Sequence, residues 1–185
     1  MTATRLLLLG AVRERGSAHG YQVRRDLESW GVQLWGSVQQ GSVYHGLRKL
    51  HDDGFLRQAE TERGDAGPAR TSYTLTPRGE EAFRELLGTA LSSDKADLPM
   101  TIAGIGFMTE LTREHALELL RTRVRSYLEW RARVVEPYER APDDDWQHHV
   151  EAIRLWAHTA DSALDWTRAL IGRLESGAYV MAGEG

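Results

Sequence analysis

Six side chains between Gln40 and Lys49 carry groups that can read or hold a polyanion. Gln40, Ser42, Tyr44, His45, Arg48 and Lys49 are all hydrogen-bonding residues, and Val43, Leu47 and Leu50 recur among them at the three- and four-residue spacing of one helix face. With that apolar face turned inward, the six lie on or near the outer surface. Amide, hydroxyl and guanidinium groups pair with base edges in the major groove, and cations and the free N–H groups of a helix start suit phosphates. Tyr44 keeps a second reading, because its neighbour Val43 points inward and the ring can pack against an adjacent strand.

A reading helix of this kind needs elements that hold it rigid, and the flanking sequence supplies them. Leu6 to Val12 is an apolar run of helix formers stopped by Gly16-Ser17. Ser17 suits the N-cap of a second helix with Tyr21, Val23, Leu27 and Trp30 inward and Gly31 at its end. The reading helix then runs from Gln40 to Asp53, with Gly54 at the left-handed position that commonly follows a helix. Phe55 to Glu62 has lost the helical period, the cluster from Gly64 to Pro68 is a loop, and Thr71 to Leu75 alternates as a strand. Together they form a hairpin. Thr76-Pro77 opens a further helix, hydroxyl as cap and proline in the first turn.

The second half reads differently. Residues 88–98 are small and polar and serve as a linker, dividing a domain over 1–87 from one over 99–185. A short helix is expected from Pro99 to Met108, followed by two long ones. The first, from about Arg113 to Arg140, carries Leu117, Leu120, Val124, Tyr127, Val134 and Tyr138 inward. Arg131 interrupts this stripe and is expected to snorkel or to pair with Glu136 or Asp161. In the second, Trp146, Val150, Ile153, Ala157, Ala160, Leu164, Thr167, Ile171 and Leu174 alternate spacings of four and three, a continuous seam for a partner helix. A helical hairpin that dimerises through Val150, Ile153, Ala157, Ala160, Leu164 and Ile171 is the economical explanation. Trp130, Trp156 and Trp166 offer flat walls for a planar effector, or else pack in the core and the dimer interface.

Composition removes other classes. The chain has 185 residues, 41% hydrophobic and 27% charged, an ordinary globular balance for at most two domains. The absence of cysteine excludes disulfides, thiolate metal sites and cysteine nucleophiles. No serine stands in a nucleophile elbow and no GxxxxGK loop is present, so neither catalytic residue nor cofactor is assigned. His148, His149, Glu151, His158, Asp161 and Asp165 have helical ligand spacings, but such groups are usual on a solvated face, and no metal is expected. The apolar runs fall short of the ~18 residues of a membrane span, and no cleavage site follows the first of them, which points to a cytoplasmic protein. The net charge of -4 hides an asymmetry: residues 1–87 hold 12 Lys+Arg against 11 Asp+Glu, residues 88–185 hold 11 against 16. An anionic partner belongs to the first half.

The segment from Gly41 to Leu56 (GSVYHGLRKLHDDGFL), preceded by His19-Gly20-Tyr21 and followed by Arg70 to Gly79 (RTSYTLTPRG), resembles the PadR family of bacterial transcriptional regulators. The resemblance covers Leu6 to Leu87. The remainder is similar to the larger α-helical C-terminal domain of virulence-activator relatives. It implies a mainly α fold with a small β-hairpin wing: an N-terminal winged helix-turn-helix and a C-terminal helical-hairpin dimerisation domain. It implies further a homodimeric repressor that binds an inverted repeat in double-stranded DNA and is released by a small aromatic effector. By position, Ser42, Tyr44 and Lys49 match the family's DNA-facing residues, and Arg70 with Thr71 matches the wing. The chain departs from the family where Gln40 and His45 stand, positions that often hold proline. The alternative is a module that keeps the fold for ligand or protein binding without useful DNA affinity, a reading the near-neutral first half allows.

Overall fold

A computed structural model describes residues 3–36, 40–59, 71–140 and 148–184. The helices are α1 (Ala3–Arg15), α2 (Gly20–Ser29), α3 (Val32–Trp35), α4 (Gln40–Asp52), α5 (Pro77–Ser92), α6 (Leu98–Gly106), α7 (Arg113–Arg140) and α8 (His149–Glu175); the strands are β1 (Ala18–His19), β2 (Leu56–Ala59) and β3 (Ser72–Leu75). The fold is thus mainly α with one small sheet. Among the described residues no helix is long and apolar enough to cross a membrane. The chain forms two compact units, residues 1–90 with 97–107 and residues 91–96 with 108–185.

The first unit is built around α1. Every residue from Leu6 to Val12 is buried, so this helix is apolar on all sides and is surrounded by α2, α4, α6 and the sheet. Val23 and Leu27 of α2 and Val43, Leu47 and Leu50 of α4 close on it. Gly54, at φ +79°, turns the chain out of α4, a conformation that Cβ-bearing residues rarely adopt. β2 and β3 then form the hairpin, with Leu56 opposite Leu75 and Gln58 opposite Tyr73. The Thr76 hydroxyl accepts the Gly79 N–H at 3.1 Å and starts α5 as its N-cap.

Four features correct the sequence reading here. Ser17 does not cap α2: Ala18 and His19 are extended and pair with Tyr73 and Ser72, making a three-stranded antiparallel sheet in the order β1-β3-β2. His19 takes the cap position, its N–H donated to Gln22 Oε1 at 2.8 Å. Tyr21, expected inward, is 44% exposed. The stretch 88–98 is not a free linker, since α5 continues to Ser92 and α6 belongs to the first unit. The reason is Phe107, just past α6, which is buried edge-on against Trp30 and Phe83 with ring centroids 5.6 Å away in each case.

The second unit is a helical hairpin. Arg121 pairs with Glu175 at 2.6 Å and Arg131 with Asp161 at 2.8 Å, partners whose numbers run in opposite directions, so α7 and α8 are antiparallel. Arg131 thereby takes one of its two expected partners. The inward face of α7 is Ala116, Leu120, Arg123, Tyr127 and Val135, turned by about one residue from the expected stripe. Arg123 is 5% exposed because its guanidinium lies 5.4 Å from the Tyr127 ring and donates to the Tyr127 hydroxyl at 3.1 Å. On α8, Ala157, Leu164, Thr167, Leu170 and Leu174 are buried and pack within this hairpin. Ala157 and Leu164, expected at a dimer seam, are therefore covered within one chain; Val150, Ile153, Ala160 and Ile171 are half-buried.

Residues 176–184 fold back on the start of α7. Arg113 holds them: Nη1 donates to the carbonyls of Leu174 and Ala178, Nη2 to that of Tyr179, and Nε and Nη2 reach the Glu184 carboxylate at 2.7 Å each. The Glu184 carboxyl lies below its ordinary range, chiefly because Arg113 bonds its charged form.

Candidate nucleic-acid interface

α4 is the helix to which the sequence assigns base reading, and its two sides differ in chemistry. With Val43, Leu47 and Leu50 buried, the opposite face exposes Tyr44, His45, Arg48 and Lys49. Ser42 is half-buried near the helix start. Gln40 begins the helix, but its side chain lies outside those described. Lys49 pairs with Asp53 at 3.3 Å, one turn on. Lys49 is exposed and Asp53 partly so, and such a surface pair contributes only ~0.2–1 kcal/mol, so Lys49 can exchange the carboxylate for a phosphate.

Tyr44 is 45% exposed. One side of its ring lies on Gly20, where a Cβ would come within 2.7 Å of the ring carbons, so the close approach requires glycine. With His19, Tyr21, Leu47, Arg48, Thr71 and Tyr73 these two residues line a cleft of about 310 Å³ between the start of α2, the outer face of α4 and the sheet. His19 and Tyr21 stack at a centroid separation of 5.9 Å, and a His19 ring nitrogen lies 3.2 Å from the Thr71 carbonyl. Thr71, one of the two wing residues expected from sequence, is exposed immediately before β3; Arg70, the other, lies outside the described residues.

The sequence reading missed two contributors. Arg57, on β2, is exposed and donates Nε to the Thr74 hydroxyl at 2.8 Å across the hairpin. Its alternation with buried Leu56 was the available signal. Tyr21 was the other, since only the added strand β1 turns the start of α2 toward the cleft.

In the second unit Trp130 and Trp156 meet edge to face with centroids 4.6 Å apart. Trp166 is 43% exposed. The expected trio is thus brought together only in part. Among the described residues no three His, Asp or Glu side chains converge as metal ligands, and Asp161 is taken by Arg131.

Residues 8–85 match the family described as the Transcriptional regulator PadR-like family. No curated protein matches the chain. Solved structures similar to it include Bacillus subtilis PadR in complex with operator DNA, 18% identical over 92% of this chain and 98% of that one, with a TM-score of 0.42. The same protein in complex with p-coumaric acid is 16% identical over 94% and 96%, with a TM-score of 0.39. The Streptococcus mutans protein smu.1604c is 20% identical over 93% and 96%, with a TM-score of 0.40. Superpositions this loose add no argument beyond the family match.

Proposed function

The chain belongs, through residues 8–85, to the PadR-like family of transcriptional regulators, and from that premise we propose that it is a homodimeric, sequence-specific DNA-binding repressor acting on an inverted repeat. The observation that carries this reading is α4 itself. Its apolar side is fully committed to the core of the first unit, and its other side offers Tyr44, His45, Arg48 and Lys49 beside the wing. In the proposed complex α4 lies in the major groove, Gln40, Ser42 and His45 meet base edges, and Tyr44, Arg48, Lys49, Arg57, Arg70 and Thr71 meet backbone phosphates.

The homodimer forms through the outer face of α8. Leu155, Trp156 and Trp166 are 68%, 55% and 43% exposed. Leu155 and Trp166 are three helical turns apart and share a side of the helix. A small aromatic effector bound near Trp130, Trp156 and Trp166 changes the separation of the two reading helices. Successive major grooves face a dimer about 34 Å apart, so a small rotation disfavours the DNA-competent state.

Fluorescence anisotropy with the DNA upstream of the chain's own gene, at two salt concentrations, tests this. Binding should weaken steeply with salt as counterions return to the phosphates. Lys49→Ala should weaken binding to all sequences and reduce the salt slope by about 1, the share of the single phosphate that Lys49 neutralises, whereas Ser42→Ala should alter the preference between sequences. Absence of binding at low salt would leave the alternative, a ligand-binding or protein-interaction module on the same fold.

A further inference from the structure

Away from the reading face, the first turn of α1, the root of the wing and the start of α5 enclose a second cleft, of about 340 Å³. The aromatic ring in its wall is Phe55. Arg5 stacks its guanidinium carbon 4.0 Å from the ring centroid and Arg78 at 4.6 Å. The Phe55 backbone is fixed, its carbonyl accepting both the N–H and the hydroxyl of Thr76 at 3.1 Å. Two guanidiniums share one ring, and their mutual repulsion works against the cation–π attraction.

Two carboxylates line the same space. Glu81 and Glu85 are one turn apart on α5, with Ala82 and Leu86 beside them. Among the described residues, none of these four charged side chains forms an ion pair with another. The Arg5 Nε is buried and has no hydrogen-bond partner among the described residues. Arg78 spends one donor, Nη1, on the Asp53 carbonyl at 3.0 Å. A simple anion placed here would satisfy the guanidiniums and face two carboxylates, and a simple cation would do the reverse. A ligand that carries both charges satisfies all four groups.

We propose that this cleft binds a small zwitterion with an apolar side chain, in chemical class a free α-amino acid such as leucine or phenylalanine. Its carboxylate takes Arg5 and Arg78, its ammonium takes Glu81 and Glu85, and its side chain lies against Phe55 and Leu86. The volume sits at the lower end of the roughly 300–1,000 Å³ of small-molecule sites. Occupancy reaches the reading helix, because a carboxylate competing for Arg78 withdraws the donor from Asp53, at the turn where α4 passes into the wing. The site goes beyond the regulator reading, and its binding is measurable whether or not the chain binds DNA.

Isothermal titration calorimetry of the full chain tests it with L-leucine, with 4-methylpentanoate, which lacks the ammonium, and with isoamylamine, which lacks the carboxylate. L-leucine should bind saturably, and each single-charge analogue should bind about tenfold or more weakly, because it forgoes the charge-assisted hydrogen bonds at one end of the cleft. Arg78→Gln should weaken L-leucine by a similar factor. The double variant Glu81→Gln, Glu85→Gln should lose the preference for L-leucine over 4-methylpentanoate. All three positions are exposed, and an unchanged thermal melt of each variant confirms that the fold is retained. No saturable binding of L-leucine or L-phenylalanine overturns the proposal. So does 4-methylpentanoate binding as tightly as L-leucine, or L-leucine binding that neither variant alters.

Discussion

In the unit formed by residues 1–90 and 97–107, α1 carries seven consecutive buried residues, Leu6 to Val12, and the unit's own helices and sheet cover them. In the unit formed by residues 91–96 and 108–185, α8 buries Ala157, Leu164, Leu170 and Leu174 on one side and leaves Leu155, Trp156 and Trp166 open on another. The first unit completes its core within one chain. The second leaves part of its last helix uncovered: α7 meets Trp156 through Trp130, but Leu155, Trp166 and about half of Trp156 stay exposed. Large exposed apolar groups aligned on one helix mark an interaction surface, whereas scattered ones such as Leu34 and Leu98 of the first unit are ordinary. The proposed function separates recognition from assembly along the same line: a first unit whose core is complete in one chain would read DNA, and the exposed side of α8 would be covered by a second copy.

The contrast can be broken at several points. Leu9→Ala, a fully buried residue of α1, should lower stability by about 2–5 kcal/mol in urea denaturation and leave association unchanged. Leu155→Ala with Trp156→Ala removes exposed side chains and should do the opposite. The fold should persist, but operator affinity should fall on the order of 100-fold, because two reading heads no longer bind as one. A loss of fold in this double variant would show that the outer face of α8 belongs to the core.

Within each unit smaller effects are expected. Gly20→Ala pushes the Tyr44 ring off α2, overpacking that costs about 1–3 kcal/mol, and should weaken DNA binding without changing the oligomeric state. The Arg113–Glu184 clasp gives the smallest effect, and its sign follows from the lowered Glu184 carboxyl. A carboxyl depressed in the folded state stabilises it above the ordinary value, 4.5, and that contribution is lost as pH falls through the lower folded value. Glu184→Gln should therefore flatten the acid limb of thermal stability slightly, read by melts from neutral pH downward.

The helix α4 was legible in sequence because its pattern is local. Val43, Leu47 and Leu50 fix which side faces inward, and the remaining polar residues follow. The strand at Ala18 and His19 was not, because two residues form a strand only when β3 lies beside them, and Ser17 offers an attractive cap nearby. The burial of Arg123 was equally hidden, because a guanidinium is costly to bury; the Tyr127 ring and hydroxyl that accompany it inward emerge only with the turn of the helix. The seam of α8 was legible as a seam, but a four-three repeat has the same form whether the covering helix comes from the same chain or from a second copy. α7 took that place, and the side of α8 that stays exposed, with Leu155 and Trp166, is a different one.

Sedimentation velocity of the full chain, alone and with the DNA upstream of its own gene, tests the separation of reading head and assembly surface most directly. The wild-type chain should sediment as a dimer in free solution and place two chains on each DNA duplex, and the Leu155→Ala, Trp156→Ala variant should be a monomer that retains its helical content. A wild-type monomer that binds DNA one chain at a time, with affinity equal to that of the variant, would contradict that separation.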